Sequence, residues 1–179
     1  VAKPGFINIK FKQNFWNEFL KDIINSKKIY GSTKGTKKYK YLVEFVSANP
    51  TGPLHVGHAW GAVIGSGVAS VLEAAGYQVT REYYFNDAGN QMRIFNETVY
   101  AYYMRAAGID NALPEEMYEG EFAIEIADEI FADLGSKFAD MPYVKGLKAV
   151  SKDALERTIA LNRDDLKRLG ATYDVWFSE

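Results

Sequence analysis

The stretch Tyr41-Leu42-Val43-Glu44-Phe45-Val46-Ser47-Ala48-Asn49-Pro50-Thr51-Gly52-Pro53-Leu54-His55-Val56-Gly57-His58 decides how this chain is read. Residues 41–46 place Leu42, Val43, Phe45 and Val46 around a lone Glu44, the pattern of a buried strand. Pro50, Gly52 and Pro53 exclude helix from the segment that follows. A helix is predicted from Gly57 to Ala75, with Ile64, Val68, Val71, Leu72 and Ala75 spaced along one core-facing stripe. Gly61, Gly65 and Gly67 each cost that helix about 1 kcal/mol of propensity. Close approach to a sheet is the expected return, and Gly76 is the expected stop. Residues 79–85 are β-branched and aromatic, hence a second strand. Strand, helix and strand in this order form a βαβ unit, so the two strands should run parallel and the fold class is α/β.

Upstream, Phe6, Ile7, Ile9 and Phe11 make a short strand-like run. Asn14 reads as the cap of a helix over 15–26, with Phe15, Phe19, Leu20, Ile23 and Ile24 on one face. The polar residues 31–38 read as a flexible connection, and the basic stretch 27–40 as a solvated turn. Downstream, residues 90–169 are mostly helical. One helix carries Met92, Phe95, Val99, Tyr102 and Tyr103, a second Phe122, Ile126 and Ile130, and a third Leu155, Ile159, Leu166 and Leu169. The closing Val175-Trp176-Phe177 run reads as an apolar strand without a visible partner, as if a larger domain were cut there. No internal repeat or low-complexity segment is present.

Composition narrows the function classes. The 179 residues carry 21 basic and 23 acidic side chains, and 47% are apolar, enough to bury a core. With no cysteine, disulfide scaffolds, thiolate metal sites and cysteine nucleophiles drop out, which fits a reducing, cytoplasmic setting. No apolar run approaches the ~18 residues of a membrane span, and the N-terminus lacks the pattern of a signal peptide. The near-balanced charge makes no general electrostatic case for nucleic acid.

The only two histidines, His55 and His58, lie three residues apart in one loop. That loop joins a strand's carboxyl end to a helix N-terminus, a place where α/β sheets bind ligands and where free N–H groups favour phosphate. Gly57 lets a flat ring or a phosphate approach the backbone. The two imidazoles supply donors for charge that develops during nucleotidyl transfer. Competing readings are a metal pair, which lacks a third nitrogen or sulfur ligand, and two histidines that simply cap a turn. Glu44 in an apolar strand needs a partner; it is either edge-facing or salt-bridged, or it recognises a cationic substrate such as a guanidinium. Asn49 is a turn residue before proline or a substrate contact. Asp87 and Gln91 follow the second strand, where Asn86 or Asp87 reads equally as a helix cap. Tyr83-Tyr84-Phe85 reads as core.

Residues 41–92 resemble the first half of the catalytic domain of class I aminoacyl-tRNA synthetases, and His55-Val56-Gly57-His58 matches that family's HIGH signature. H-x-G-H alone also occurs in simpler nucleotidyltransferases. The longer text, residues 43–58, Glu82-Tyr83-Tyr84-Phe85-Asn86-Asp87-Ala88-Gly89-Asn90-Gln91 and Tyr173-Asp174-Val175-Trp176-Phe177-Ser178-Glu179, resembles the arginyl-tRNA synthetases. The resemblance implies a partial Rossmann-like nucleotide-binding fold, its HIGH-motif half, with a helical insertion. It divides the chain into residues 1–38 (end of an N-terminal domain and linker), 39–90 (first half of the nucleotide fold) and 91–179 (a connecting region). It implies activation of arginine with ATP, Mg2+ arriving with the nucleotide, and esterification of tRNA.

By resemblance, the HIGH region covers Ala48, Asn49, Pro50, Thr51, Gly52, Pro53, Leu54, His55, Val56, Gly57 and His58. His55 and His58 are catalytic and, with Gly57, bind ATP; Glu44, Ser47 and Asn49 hold arginine; Asp87 and Gln91 are substrate or tRNA-end contacts. Trp60 stands where the family usually has arginine, and Ser66 where aspartate is common. No KMSKS-like lysine loop is present, so the chain reads as a piece of the enzyme that is inactive alone. A small H-x-G-H adenylyltransferase and a non-catalytic synthetase-like RNA-binding protein are the rival readings.

Overall fold

A computed structural model describes residues 3–27, 30–33, 38–110 and 113–179. The flexible connection expected over 31–38 and the basic stretch over 27–40 lie partly outside the described residues.

The expected βαβ unit is present. Strand β1 (Lys40–Glu44) leads through helix α2 (Val56–Ala74) to strand β2 (Gln78–Phe85), which pairs with β1 in parallel. Helix α1 (Gln13–Ser26) precedes them. Helices α3 (Gly89–Ala106), α4 (Phe122–Leu134) and α5 (Tyr143–Arg168) follow, and strand β3 (Val175–Ser178) returns to the sheet. β3 pairs in parallel with β2, Tyr83 opposite Trp176, giving the order β1-β2-β3. The apolar run expected to lack a partner therefore has one: three helices carry the chain back to the strand it left.

Two clusters divide the interior. One joins α3, α4 and α5 around Phe95, Val99, Tyr103, Ile126, Ile130 and Val150, and Phe95, Val99, Tyr103 and Ile130 are fully buried. The other lies on one face of the sheet, where Phe45, Tyr83 and Phe85 meet Ala62 of α2, Leu166 of α5 and the ring of Tyr173.

The sheet tells α2 which face to bury. Ala62, Gly65 and Ala69 are buried, whereas Ile64, Val68 and Val71 stand 50%, 48% and 69% exposed. Of the apolar stripe expected to face the core, Ile64, Val68 and Val71 therefore face out while Leu72 and Ala75 are half-buried, and the small residues face the sheet. Space explains it: a Cβ on Gly65 would lie 2.3 Å from Phe45 Cβ and Cγ. The glycine spacing thus does permit close approach at Gly65, but a Cβ on Gly67 would meet nothing within 4 Å. Gly76, with φ +87°, ends the helix as expected.

Three further expectations are corrected. Phe6, Ile7, Ile9 and Phe11 form no strand apart from one bridge residue at Phe6; exposed side chains there find no sheet to join. Helix α1 begins at Gln13 after Lys12, without a side-chain cap, so Asn14 lies inside it. Strand β1 ends at Glu44, and it is not buried throughout: it forms one edge of the sheet, with Tyr41, Leu42 and Glu44 exposed.

Candidate functional site

β1 ends in an abrupt change of backbone direction. Val46 and Ser47 have φ of +69° and +45°, a left-handed conformation in which a β-branched valine is disfavoured. Such strain persists only where surrounding contacts over-determine it. Here the Tyr83 hydroxyl donates to Ala48 O at 3.0 Å and accepts from Ala48 N at 3.2 Å. The Tyr84 N–H donates to Ser47 Oγ at 3.2 Å, and Tyr173 Oη donates to the Phe45 carbonyl at 3.3 Å. Burial raises the Tyr83 and Tyr173 phenol pKa values, keeping both hydroxyls protonated as these bonds require.

The loop then crosses the carboxyl end of the sheet. Pro50 and Thr51 are buried, and the Thr51 N–H donates to Asn49 O at 2.9 Å. Asn49 Nδ2 donates to Gln91 Oε1 at 2.8 Å, joining the loop to the first turn of α3. The Thr51 hydroxyl lies 2.7 Å from the Tyr118 hydroxyl. Asn49 and Gln91, read separately from the sequence, are thus in contact. Tyr83, Tyr118 and Tyr173 hold the loop; the aromatic run around Tyr83 reads as core, and Tyr118 stands alone in a polar segment, so neither signals that role in the sequence.

At the end of the loop the two histidines cap α2. The Gly57 N–H donates to His55 Nδ1 at 3.1 Å, and the His55 N–H donates to His58 Nδ1 at 3.2 Å. The rings stack with centroids 3.8 Å apart. The capping alternative is therefore realised in this structure, and it is compatible with chemistry. A ring nitrogen that accepts from a backbone N–H carries no proton, so in each neutral ring the proton sits on Nε2. Both Nε2–H groups remain as donors at the helix N-terminus. Gly57 is required for this packing, since a Cβ there would sit 2.9 Å from His55 Cε1. Desolvation first, and the neighbouring His55 second, lower the His58 pKa from its ordinary value, favouring the neutral ring. Beside the cap, Leu54, His55, Val56 and Ala59 face Asp165, Leu166, Arg168 and Leu169 of the α5 end across a cleft of about 430 Å³.

Glu44 is exposed, so the argument that burial in an apolar strand demands a partner does not hold here. Its face of the sheet also carries Glu82, opposite it in register, and Tyr84, whose ring stacks on Phe177. Glu179, Glu44 and Asp87 all act to raise the Tyr84 pKa, Glu179 through a hydrogen bond, so the carboxyl ends of all three strands converge on a negative field. Ser47 is engaged through its Oγ with the sheet. Asp87 does not cap α3: it accepts from Ser178 Oγ at 2.7 Å, while Asn86 Oδ1 accepts from the Ala88 N–H. Trp60 is 70% exposed, and Ser66 lines a shallow cleft with Leu169 and Ala171.

Comparison with known proteins places this geometry. The chain is 47% identical over its full length to a protein of Caldanaerobacter subterraneus subsp. tengcongensis named arginine–tRNA ligase, of which it covers 32%. It is 43% identical to one of the same name from Bartonella bacilliformis, covering 31% of it. The chain thus spans about a third of the length of these relatives. Among solved structures, a Campylobacter jejuni protein described as an arginyl-tRNA synthetase superposes with a TM-score of 0.75 at 32% identity, over 94% of this chain and 37% of that one. The parallel sheet, the H-x-G-H cap and the helical return are therefore read in the frame of class I synthetases, as a part of their Rossmann-like domain. Residues 19–118, more than half of the chain, match the family described as tRNA synthetases class I (R), catalytic domain, and the chain belongs to that family.

Proposed function

We propose that this chain supplies the HIGH-motif half of an arginine–tRNA ligase, which joins arginine to ATP as an arginyl-adenylate and then esterifies its tRNA. The observation that carries the reading is the double histidine cap at a helix N-terminus, in which both Nδ1 atoms accept backbone N–H groups and Nε2–H is left as the donor of each neutral ring.

The arginine carboxylate attacks the α-phosphorus of ATP, the bond to the β-phosphate oxygen breaks, and pyrophosphate leaves. No general base is needed, because the nucleophile is already an anion. The requirement is alignment and stabilisation of charge on the phosphate oxygens, which fixed N–H donors at a helix N-terminus provide. His55 and His58 take that role, and Gly57 leaves room for their rings and for the nucleotide above them. Glu44 pairs with the substrate guanidinium on the negative face of the sheet, where a planar cation can be held bidentately. Asn49, oriented by Gln91, holds the amino-acid end, and Ser47 and Asp87 set the shape of that corner. Mg2+ enters as part of the nucleotide, and the reaction belongs to the cytoplasm, where its tRNA is used. Residues 1–38 act as the end of an N-terminal domain and linker, 39–90 as the nucleotide half-fold and 91–179 as the connecting region, whose last strand joins the same sheet.

The test is arginine-dependent ATP–pyrophosphate exchange by the full-length protein, with and without tRNA. His58→Ala should lower the exchange rate by about 10²–10³ and leave arginine affinity nearly unchanged. A normal rate with weakened arginine binding would sink the assignment.

A further inference from the structure

The motif loop is anchored at a point that belongs to neither strand nor cap. Thr51 is only 5% exposed, and among the described residues its hydroxyl has one partner, the hydroxyl of Tyr118, 67 positions later in the chain. Tyr118 is itself held rigidly by α3. Its N–H donates to Thr98 Oγ1 at 2.9 Å, Thr98 Oγ1 donates in turn to Ile94 O at 2.7 Å, and its ring meets the buried Phe95 edge-on at 5.4 Å. The anchor therefore ends in the core of the helical module.

What the anchor controls follows from the stiffness of the loop. Pro50 and Pro53 fix two of the φ angles between Asn49 and His55, and the Thr51 N–H is bonded to Asn49 O. A displacement at Thr51 moves Asn49 on one side and the His55 cap on the other. We propose that Tyr118 is a positioning residue: through Thr51 it sets the register between the amino-acid end of the site and the phosphate-facing histidines. This rests on the adenylation reading given above. It makes the helical module a structural part of the active site: Tyr118 touches neither substrate but fixes the loop that touches both.

Reactions that depend on alignment lose up to a hundredfold for a shift of about 1 Å. In the full-length protein Tyr118→Phe and Thr51→Val should each lower kcat of tRNA-dependent ATP–pyrophosphate exchange about tenfold. KM for ATP and for arginine should move less than about threefold, because Tyr118 contacts neither. The double variant should also lose about tenfold rather than a hundredfold, since both changes break one bond. It buries no unpaired hydroxyl, so it stays informative if either single variant folds poorly. His58→Ala is measured alongside. A drop for His58→Ala with unchanged kcat for Tyr118→Phe would overturn the positioning role and leave the adenylation reading standing. A lowered melting midpoint with unchanged kcat would also overturn it, assigning the bond to stability alone. Losses that multiply to a hundredfold would overturn the coupling. Unchanged exchange in His58→Ala would remove the adenylation reading and this proposal with it.

Discussion

The helical module and the motif half bury their apolar residues in opposite ways. α3, α4 and α5 pack on one another, and Phe95, Val99, Tyr103, Ile130 and Val150 are completely enclosed. The motif half encloses a smaller set on one face of a three-stranded sheet and leaves Leu42, Val63, Val71 and Phe177 at 58%, 57%, 69% and 49% exposure. Its conformational strain is concentrated at Val46 and Ser47, directly before the loop with the histidines. One region is stabilised by its own packing; the other holds a strained, polar, ligand-facing loop by hydrogen bonds to phenols. Core positions in the first should therefore report on folding, and loop positions in the second on binding and catalysis.

The largest effect expected from this contrast lies in the helical core. Phe95→Ala removes an aromatic ring that touches Tyr118 and Phe122 and is wholly buried, and it should cost about 3–5 kcal/mol. Denaturant unfolding of the 179-residue chain measures it; a loss near that for an exposed residue would mean that the module does not carry the stability.

Next is Glu44→Gln, which should act on binding and not on folding. Removing the carboxylate's charge should weaken arginine by about 1.5–3 kcal/mol, the worth of a charge-assisted hydrogen bond, with ATP affinity unaffected. Separate titrations of arginine and ATP against the full-length protein decide it. Equal arginine affinity in the variant would show that the guanidinium is read elsewhere.

Two glycines two residues apart in α2 sharpen the comparison inside the motif half. Gly65→Ala forces a methyl into Phe45 and should destabilise by about 1–3 kcal/mol. Gly67→Ala places its methyl in open space and should stabilise the helix by up to about 1 kcal/mol. Thermal unfolding of both variants reads the sign; two shifts of the same sign would contradict the packing of α2 against β1.

Much of this was legible in the residues. The βαβ unit and its parallel pairing follow from the order of apolar runs and turn residues, and the three later helices from periodicity, because those helices pack with their large side chains inward. α2 broke the rule because the sheet presents Phe45 at the contact, so only glycine and alanine fit, and the larger stripe at the same helical period turned outward. Glu44 lies on the sheet face it shares with Glu82 and Tyr84, opposite the face packed by α2 and α5, a placement that no local pattern encodes. The left-handed turn at Val46 and Ser47 is hidden too, since neither residue favours it and its support comes from Tyr83, Tyr84 and Tyr173. The histidine pair was visible as a motif, but its cap depends on ring geometry. Tyr118 could not be found by spacing: it reaches Thr51 across 67 residues from a polar segment between α3 and α4.

The smallest effect expected is in the acid range, at His58. Its pKa is lowered below 6.5 in the folded chain, by desolvation first and by His55 second. The sign follows from the unfolded state binding more protons: below about pH 6.5 the unfolded ring is protonated while the folded ring resists. The contribution to stability is therefore present above pH 6.5 and is lost as pH falls towards the folded pKa. The geometry gives the same direction, since a proton on His58 Nδ1 would displace the His55 N–H that it accepts. Ring-proton NMR of the 179-residue chain should show His58 titrating lower than an exposed imidazole, with the α2 N-terminus fraying in parallel. His55→Asn keeps an acceptor at the cap and removes the second cause of the lowering, so the His58 midpoint should rise. It should remain below 6.5, because desolvation is the larger cause. A His58 midpoint at or above 6.5 in the unaltered chain would show that the ring is free of the cap, and would return the helix N-terminus of the motif half to backbone dipoles alone.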